Sequence, residues 1–308
     1  MTELSTFYSI MWLNNLKNVI YIDHNNVDNT NREFDKINRL ENVILLVSQC
    51  PFVIHSVAAK FIKHINIPFV IVTAINDYTF PQELKHVNSV KRIIYHKHFK
   101  HWFAVNKSIT NDKHFTSIPY GLDYWTVTKT KYFSEEIQTV EEQNNKLINI
   151  SKKTIHFTNR IPLIYANFHL KMTVHLNNEH TDGRHGSWRG RLHTIIPPEL
   201  IYFEPEKLPR TESWEKMSLY SFVLSPLGNG LDCIRTFEAL CLRCIVIIPK
   251  SSLDTSMYSD LPVLIVNDYS EINKKLLNDT LELFSQKKFN YDKLYMNYWL
   301  ELVNQKFT

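Results

Sequence analysis

Short apolar segments alternate with longer mixed segments along the first half of the chain. Four of the apolar segments are rich in Val and Ile, which is typical of buried strands. These predicted strands are Asn18–Asp23, Asn42–Gln49, Phe69–Ile75 and Lys91–His96. Between them, Ser56–Ile65 and Lys97–Ile109 have helical spacing. Strands that alternate with helices predict βαβ units and a parallel sheet.

The second half of the chain repeats this pattern after a charged segment. Lys131–Lys153 is predicted to be a helix that leads to a second domain. Further strands are predicted at Thr154–Asn159, Ser221–Pro226, Cys244–Pro249 and Pro262–Asp268. Ile164–Leu170 is either another strand or a connection. Cys233–Leu242 and the tail Ser270–Thr308 have helical periodicity. We therefore expect two α/β domains, residues 1–140 and 141–308, with the final helix free to return to the first.

Length and composition agree with this organisation. A chain of 308 residues suits two domains of about 150 residues each. No apolar run approaches the roughly 20 residues that cross a bilayer, and the start lacks a secretory signal pattern, so we expect a soluble, cytoplasmic protein. The lone C-x-x-C of Cys241 and Cys244 is interpreted as buried free thiols. A net charge of +4 argues against nucleic acid as a partner.

Glycine is scarce, and two of the six glycines lie one residue apart at Gly228 and Gly230. They separate a predicted strand from a predicted helix, an arrangement that presents free backbone N–H groups to an anion. Arg235, in the helix, can bind a phosphate, and Glu238 lies on the same helix face, where a carboxylate can accept bonds from ribose hydroxyls. The pattern indicates a site for a nucleoside diphosphate. A turn followed by an Arg–Glu surface pair is the alternative.

The segment Pro209–Ser270, which contains "SFVLSPLGNGLDCIRTFEALCLRCIVIIPKS", resembles exostosin-like glycosyltransferases. The similarity is greatest to the short versions found in giant and chlorella viruses, algae and bacteria. This chain departs from the family pattern at Phe237, where Trp is usual, at Arg243, where Gly is usual, and at Val246, where Pro is usual. Looser similarity extends to Asp77–Pro81, His101–Asn106, Ile118–Tyr124 and Tyr165–Leu170.

The resemblance implies a GT-B fold, in which two Rossmann-like domains face each other across a cleft. It implies a hexosyl- or pentosyltransferase that uses a UDP-sugar and a glycan or glycoprotein acceptor, in the host cytoplasm or virion if the protein is viral. The matched donor-binding residues are Ser225, Gly228, Asn229, Gly230, Arg235 and Glu238, with Arg210 in the same segment. The alternative is a non-catalytic carbohydrate- or nucleotide-binding protein of this fold.

The aspartates contain no Asp-x-Asp pair, so no catalytic metal and no cofactor is expected. Helix N-termini and Arg side chains would then stabilise the leaving diphosphate. Retaining enzymes of this fold often carry a Glu eight positions before the ribose Glu. That position is Gly230 here, which favours an inverting transfer with a general base.

The base is expected in the N-terminal domain, at the carboxyl end of a strand. Asp77 is the first candidate because its loop matches the family. Asp123 is the second, with a structural role at the Gly121 turn as its alternative. Asp23 is the third, and an aspartate that caps the following turn is the simpler interpretation there.

A basic segment, His180–His193, contains three glycines and three arginines. Arg184, Arg189 and Arg191 could donate to a phosphate or an acceptor, and Arg191 is taken as the donor-binding candidate. A solvated basic loop is the alternative.

Overall fold

The computed structural model of the protein describes residues 6–27, 37–84, 87–168 and 189–308. The chain forms two compact units, each made of separate segments. The amino-terminal unit contains Ser9–Tyr120, Ser252–Met257 and Met296–Thr308. The carboxyl-terminal unit contains Met1–Tyr8, Gly121–Ser251 and Tyr258–Tyr295. Residues 121–140, which the sequence assigned to the first domain, therefore lie in the carboxyl-terminal unit.

Five parallel strands form the sheet of the amino-terminal unit, in the order β1-β2-β3-β4-β5. The strands are β1 (Val19–Ile22), β2 (Val43–Ser48), β3 (Phe69–Ala74), β4 (Phe99–Ala104) and β5 (Phe115–Ser117). The helices are α1 (Pro51–Ser56), extended by helical turns at Val57–Phe61 and Ile62–His64, and α2 (Val87–Ile94). Every residue of β2 and β3 is buried, as expected for a parallel sheet with both faces covered.

Two sequence assignments in this unit are wrong. The predicted strand at Lys91–His96 is largely the end of α2, where Val90 and Ile93 are buried at helical spacing. The predicted helix at Lys97–Ile109 contains β4 instead. Successive side chains of β4, such as Trp102, are buried on both sheet faces, so the strand lacks the alternation that identifies a half-exposed strand.

The carboxyl-terminal unit contains the second sheet, also of five parallel strands, in the order β10-β9-β8-β6-β7. Its elements are α3 (Trp125–Lys129), α4 (Val140–Lys153), β6 (Ile161–Ala166), α5 (Leu192–Ile195), β7 (Ile201–Phe203), α6 (Arg210–Met217), β8 (Tyr220–Leu224), α7 (Ile234–Cys241), β9 (Ile245–Pro249), β10 (Val263–Val266) and α8 (Lys274–Ser285). The last helix, α9 (Met296–Asn304), belongs to the amino-terminal unit. The predicted α/β class with parallel sheets is confirmed.

Two boundaries differ from the sequence analysis in this unit. The helix predicted from Lys131 begins only at Val140, where Thr139 and Glu142 form a capping box that satisfies both backbone amides. The strand predicted at Thr154–Asn159 is wrong, because that segment ends in a 3₁₀ turn with Phe157 buried. Strand β6 starts after it.

The strand order of the second sheet reverses at β6, because β7 lies on one side of β6 and β8 lies on the other. In open α/β sheets, ligands bind outside the carboxyl ends of the strands at such a switch point. The loops that follow β6 and β8 are therefore where a ligand is expected. Within the described residues, every helix is too short or too polar to cross a bilayer.

Candidate functional site

The loop that follows β8 is anchored to its neighbours at its first residue. The amide of Ser225 donates to the carbonyl oxygen of Ile247 in β9, at 2.9 Å. The Ser225 hydroxyl lies 2.9 Å from the hydroxyl of Thr236, in the first turn of α7. Both side chains are buried. The end of β8 and the start of α7 are thus held together, so the loop between them has a fixed base.

Gly228 is buried in this loop, whereas Asn229 is exposed. The φ of Gly228 lies outside the left-handed region, so its conformation does not require glycine. Space favours glycine, because an added Cβ would lie 3.0 Å from Cys233 Sγ, a tight contact, and 3.6 Å from Arg189 Nη2, an ordinary van der Waals contact. Glycine here keeps the backbone against a guanidinium.

Arg189 is buried against the carbonyl side of the same loop. Its Nε donates to the carbonyl oxygen of Leu227 at 2.8 Å, and its Nη2 donates to that of Pro226 at 3.3 Å. The guanidinium carbon lies 5.4 Å from the ring centroid of Phe168, the second residue after β6. Arg189 therefore joins the loops that follow the two strands at the switch point.

Arg235, in the first turn of α7, reaches the same ring from the other loop. Its Nε donates to Asn167 Oδ1 at 3.0 Å. Its guanidinium carbon lies 5.3 Å from the Phe168 centroid. A cation near an aromatic face is stabilised by the ring quadrupole, so Phe168 is a shared platform for the two guanidinium groups.

The two arginines place two positive charges at the switch point, where the nearby Glu238 opposes the effect of burial on the pKa of Arg235. Burial lowers the pKa of Arg189 from its ordinary value, and the charge of Arg235 lowers it further. Burial likewise lowers the pKa of Arg235. Within the described parts of the chain, no carboxylate bonds to either guanidinium; their acceptors are neutral carbonyl and amide oxygens. An anion bound here would supply the missing countercharge.

Glu238 lies one turn further along α7 and pairs with Arg210. Arg210 Nε donates to Glu238 Oε1 at 2.9 Å, and the two side chains are 6% and 14% exposed. Among the described residues no group donates to Glu238 Oε2, so that oxygen can accept bonds from a ligand.

Arg210 was predicted as a donor-binding residue, and the structure surrounds it with protein. Its Nη1 donates to the carbonyl oxygen of Asp123 at 2.7 Å. Its guanidinium lies between the rings of Phe133 and Trp214, at 4.9 and 4.7 Å. Arg210 therefore holds Glu238 in place, a contact that sequence spacing did not reveal.

Asp123 occupies a turn in the carboxyl-terminal unit, the unit that also contains Glu238. Its carboxylate accepts from the amide of Thr126 at 2.9 Å, at the start of α3. The adjacent Gly121 has a φ of +74°, and an added Cβ would lie 2.8 Å from the Tyr8 carbonyl oxygen. Glycine is required there for both space and conformation.

Asp23 directly follows β1, and its carboxylate holds the next turn. Its Oδ1 accepts from the amide of Asn25 at 2.8 Å and from that of Asn26 at 3.2 Å. This is the arrangement of an Asx turn. The simpler interpretation of Asp23 from the sequence matches this geometry.

Asp77 lies half-buried in the loop that follows β3. The loop is held on both sides of Asp77 by side chains from neighbouring strand ends. Asn106 donates to the carbonyl oxygen of Asn76 at 3.3 Å, and Gln49 donates to that of Tyr78. These amides fix the backbone that carries Asp77.

The backbone before Asp77 is strained. Ile75 has a φ of +73°, which is unfavourable for a β-branched residue. Such strain persists only where the surrounding structure imposes it, and it concentrates at functional sites. Because β1 and β3 belong to one parallel sheet, Asp23 and Asp77, which follow these strands, lie at the same edge of the sheet.

Arg191 is exposed at the end of the 3₁₀ turn Arg189–Arg191, and its carbonyl oxygen accepts from Thr194. Arg184 and the other residues up to 188 lie outside the described residues. The sequence selected Arg191 from the basic segment, whereas the structure brings Arg189 to the Gly228 loop. Asn167 and Phe168 were also missed, although they lie in a segment that carries the family resemblance.

The described residues contain no group of three or more His, Cys, Asp or Glu side chains that could hold a metal ion. Cys241 and Cys244 are free and buried. Burial raises the pKa of Cys244 to about 11 and that of Cys241 well above its ordinary value. Both are therefore neutral thiols near pH 7, which are poor nucleophiles and poor metal ligands.

No protein-family profile matches this sequence, and no curated protein matches it. Among solved structures, it is similar to an alpha,alpha-trehalose-phosphate synthase (UDP-forming) from Burkholderia vietnamiensis, with 9% identity, a TM-score of 0.39, and 92% of this chain and 77% of that chain covered. It is also similar to an alpha,alpha-trehalose 6-phosphate synthase from Burkholderia multivorans, with 11% identity, a TM-score of 0.37, and 92% and 73% covered. What this chain binds is therefore argued from its own side chains.

Proposed function

We propose that this protein is a glycosyltransferase of the GT-B fold that transfers a sugar from a nucleoside-diphosphate sugar to an acceptor hydroxyl. The donor is a UDP-sugar and the acceptor is a glycan or glycoprotein, as the exostosin-like resemblance implies. The single observation that carries the proposal is the pair Arg189 and Arg235, which hydrogen-bond to no carboxylate among the described residues and meet over Phe168 at the switch point.

A diphosphate suits this pair because each phosphate can receive charge-assisted hydrogen bonds from one guanidinium. The amide of Gly228 donates to the carbonyl oxygen of Gly230 at 3.1 Å, and that of Cys233 donates to Asp232 Oδ1 at 2.8 Å, so the diphosphate is assigned to the two guanidinium groups rather than to these amides. As the glycosidic bond breaks, negative charge grows on the leaving diphosphate, and fixed positive groups stabilise that charge without reorganising. Glu238 Oε2 is available to the ribose hydroxyls, with Arg210 holding the other oxygen.

Transfer with inversion needs a base that removes the proton of the acceptor hydroxyl in one step. Asp77 is the residue proposed for this role. It combines a carboxylate at a strand end with a backbone held by Gln49 and Asn106. Asp123 and Asp23, which each accept a hydrogen bond from a turn amide, are the second and third candidates for the base.

Calorimetry with UDP and UMP tests the donor site. UDP should bind at least about tenfold more tightly than UMP, because the second phosphate gains charge-assisted bonds of about 1.5–3 kcal/mol. Equal affinities would contradict a diphosphate site. Release of UDP from UDP-sugars in the presence of glycan acceptors then separates an enzyme from a non-catalytic binding protein, which would bind UDP without turnover.

Metal dependence is tested separately. The proposal contains arginines in the role that a divalent cation plays in other transferases, so turnover should survive EDTA. The same preparation with added Mg²⁺ or Mn²⁺ is the control. Loss of turnover on chelation, with recovery on adding either ion, would contradict a metal-independent transfer.

A further inference from the structure

A cavity lies at the opposite end of α7 from the Gly228 loop. Its volume is about 370 Å³, which is within the range of small-molecule sites. The residues that line it belong to the carboxyl-terminal unit, and none of them is acidic. Two of them, Lys152 and Arg243, are basic. The cavity is therefore positively charged, and the function proposed above does not use it.

One wall of the cavity is a single face of α4. Asn145, Asn149 and Lys152 line the cavity, and their spacing places them on neighbouring turns of one helix face. The face offers two amide groups and one ammonium group. Lys152 makes no ion pair with any described residue, so its charge is available to a ligand.

Arg243 supplies the second positive charge of the cavity and is unusual in three respects. Its φ is +61°, a left-handed conformation that favours glycine at the end of a helix. Its guanidinium carbon lies 3.8 Å above the ring of Tyr291. Its Nη1 is buried and has no hydrogen-bond partner. Arg243 also lines the cavity, so its positive charge acts on a ligand there although Nη1 itself is enclosed by protein.

Two backbone carbonyl oxygens near Arg243 already accept hydrogen bonds from other side chains. The carbonyl oxygen of Cys241 accepts from Ser151 at 2.6 Å, and that of Leu242 accepts from Arg160 at 3.0 Å. No described carboxylate pairs with Arg243. The Arg243 side chain interacts with the hydroxyl of Tyr295, which is neutral near pH 7, so a negatively charged partner for Arg243 would come from a ligand.

We propose that this cavity binds a small organic phosphate. The phosphate would lie between the positive charges of Arg243 and Lys152, the two basic residues that line the cavity. The hydroxyl groups of the ligand would bond to the amides of Asn145 and Asn149, beside the ring of Tyr295, which is stacked on Phe7 at 5.0 Å. A cavity of about 370 Å³ is larger than a bare phosphate ion, which is why an organic ester is assigned.

The test uses titration calorimetry of the full-length protein with ribose 5-phosphate and with inorganic phosphate. Ribose 5-phosphate should bind more tightly than inorganic phosphate. Arg243→Gly should weaken binding of ribose 5-phosphate by about tenfold or more, as expected for loss of a charge-assisted hydrogen bond. Glycine adopts the φ of this position freely, which offsets the lost contact with Tyr291, so the variant should unfold at about the same temperature as the parent protein.

Matched controls separate this cavity from the donor site. Lys152→Ala should also weaken binding, whereas Lys153→Ala, the exposed neighbour outside the cavity, should not. Arg235→Ala should leave ribose 5-phosphate binding unchanged. Binding lost in Arg235→Ala and retained in Arg243→Gly, or no binding by the parent protein, would overturn the proposal. Equal affinity for the two probes would overturn the assignment of an organic phosphate.

Discussion

The carboxyl ends of the two parallel sheets carry opposite chemistry. In the carboxyl-terminal unit, the strand order reverses, and Arg189 and Arg235 meet there and hydrogen-bond to no carboxylate among the described residues. In the amino-terminal unit, the described strands follow one another in chain order, and the loops at their ends carry Asp23 and Asp77. The same architecture thus supplies positive charge at one sheet edge and carboxylates at the other.

The difference shows that a parallel sheet specifies where a ligand binds, while the loops specify what it is. A reversal of strand order opens a crevice at the sheet edge, and two guanidinium groups line the one in the carboxyl-terminal unit. The amino-terminal sheet has no such reversal among its described strands, so its loop after β3 is shaped by side-chain amides and by strain at Ile75. Group transfer needs both chemistries: a stabilised leaving group and a proton acceptor.

The largest expected effect comes from removing the carboxylate of Asp77. Asp77→Asn keeps the size and polarity of the side chain but abolishes its basicity. Loss of general-base catalysis should lower kcat by about 10²–10⁴-fold. The affinity for UDP should remain unchanged, because the donor residues lie in the other unit. Steady-state kinetics and calorimetry on the same preparation measure the two quantities.

Asp23→Asn and Asp123→Asn are the controls for this comparison. Each removes a carboxylate that accepts from a turn amide, so a lower thermal stability with nearly normal kcat is expected. If Asp77→Asn keeps its kcat and one of the controls loses it, the base is that other aspartate. A product with retained anomeric configuration would remove the need for a base of this kind.

The next largest effect is expected at Arg189, at the switch point of the carboxyl-terminal sheet. Arg189→Ala should weaken UDP binding by about 10- to 100-fold, the loss expected for a charge-assisted hydrogen bond of about 1.5–3 kcal/mol. Arg191→Ala is the matched control, since it removes the same charge from an exposed position two residues further along the chain. Calorimetry with UDP compares the two. A loss confined to Arg191→Ala would return the donor-binding role to the residue selected from the sequence.

The choice between these two arginines shows what sequence could not predict. Scarcity of glycine drew attention to Gly228 and Gly230, and the predicted strand and helix on either side exist as β8 and α7. Those signals are local. The contacts of Arg189 with Leu227 and of Arg210 with Glu238 join residues 38 and 28 positions apart. No periodicity along the chain reports such contacts.

The swapped elements in the amino-terminal unit have a related cause. Lys91–His96 and Lys97–Ile109 were assigned as a strand and a helix, and they form the end of α2 and the strand β4. In β4, Trp102 donates to Thr73 in the neighbouring strand at 3.1 Å. Burial on both faces hides the alternation of a strand. The α/β class was nevertheless predicted correctly. Exchanging one strand and one helix still leaves strands that alternate with helices along the chain.

A smaller effect is expected from Glu238→Gln, which separates ligand binding from stability at the donor site of the carboxyl-terminal unit. In Glu238→Gln, Oε1 of the new amide can still accept from Arg210, but the buried guanidinium loses its countercharge. Breaking buried pairs entirely costs about 3–5 kcal/mol, so this partial loss should lower the free energy of unfolding by about 1–3 kcal/mol. UDP affinity should fall about tenfold, through the weaker bond to the ribose.

Urea unfolding and calorimetry measure these two changes in Glu238→Gln. Glu212→Gln, at an exposed position in the first turn of α6, is the control and should alter neither. If Glu238→Gln loses stability while its UDP affinity is unchanged, Glu238 serves only to hold Arg210, and the alternative of a structural Arg–Glu pair is correct.

The smallest effect is expected at Gly228 itself. Since its φ lies outside the left-handed region, Gly228→Ala creates no backbone strain. The added methyl group meets Cys233 Sγ at 3.0 Å, which is overpacking, so the free energy of unfolding should fall by about 1 kcal/mol. The methyl group would also lie 3.6 Å from Arg189 Nη2, in the space assigned to the diphosphate, and UDP affinity should fall by less than tenfold.

A double variant distinguishes these two consequences of the methyl group. Cys233→Ala removes the sulfur that the methyl group meets, so Gly228→Ala combined with Cys233→Ala should recover most of the stability lost in Gly228→Ala. Neighbouring residues that share a packing site are coupled in this way. The UDP affinity should not recover, because the methyl group still lies beside Arg189, in the space assigned to the diphosphate. If affinity and stability recover together, the glycine is needed only for packing against Cys233, and the loop contributes no close backbone approach to the ligand.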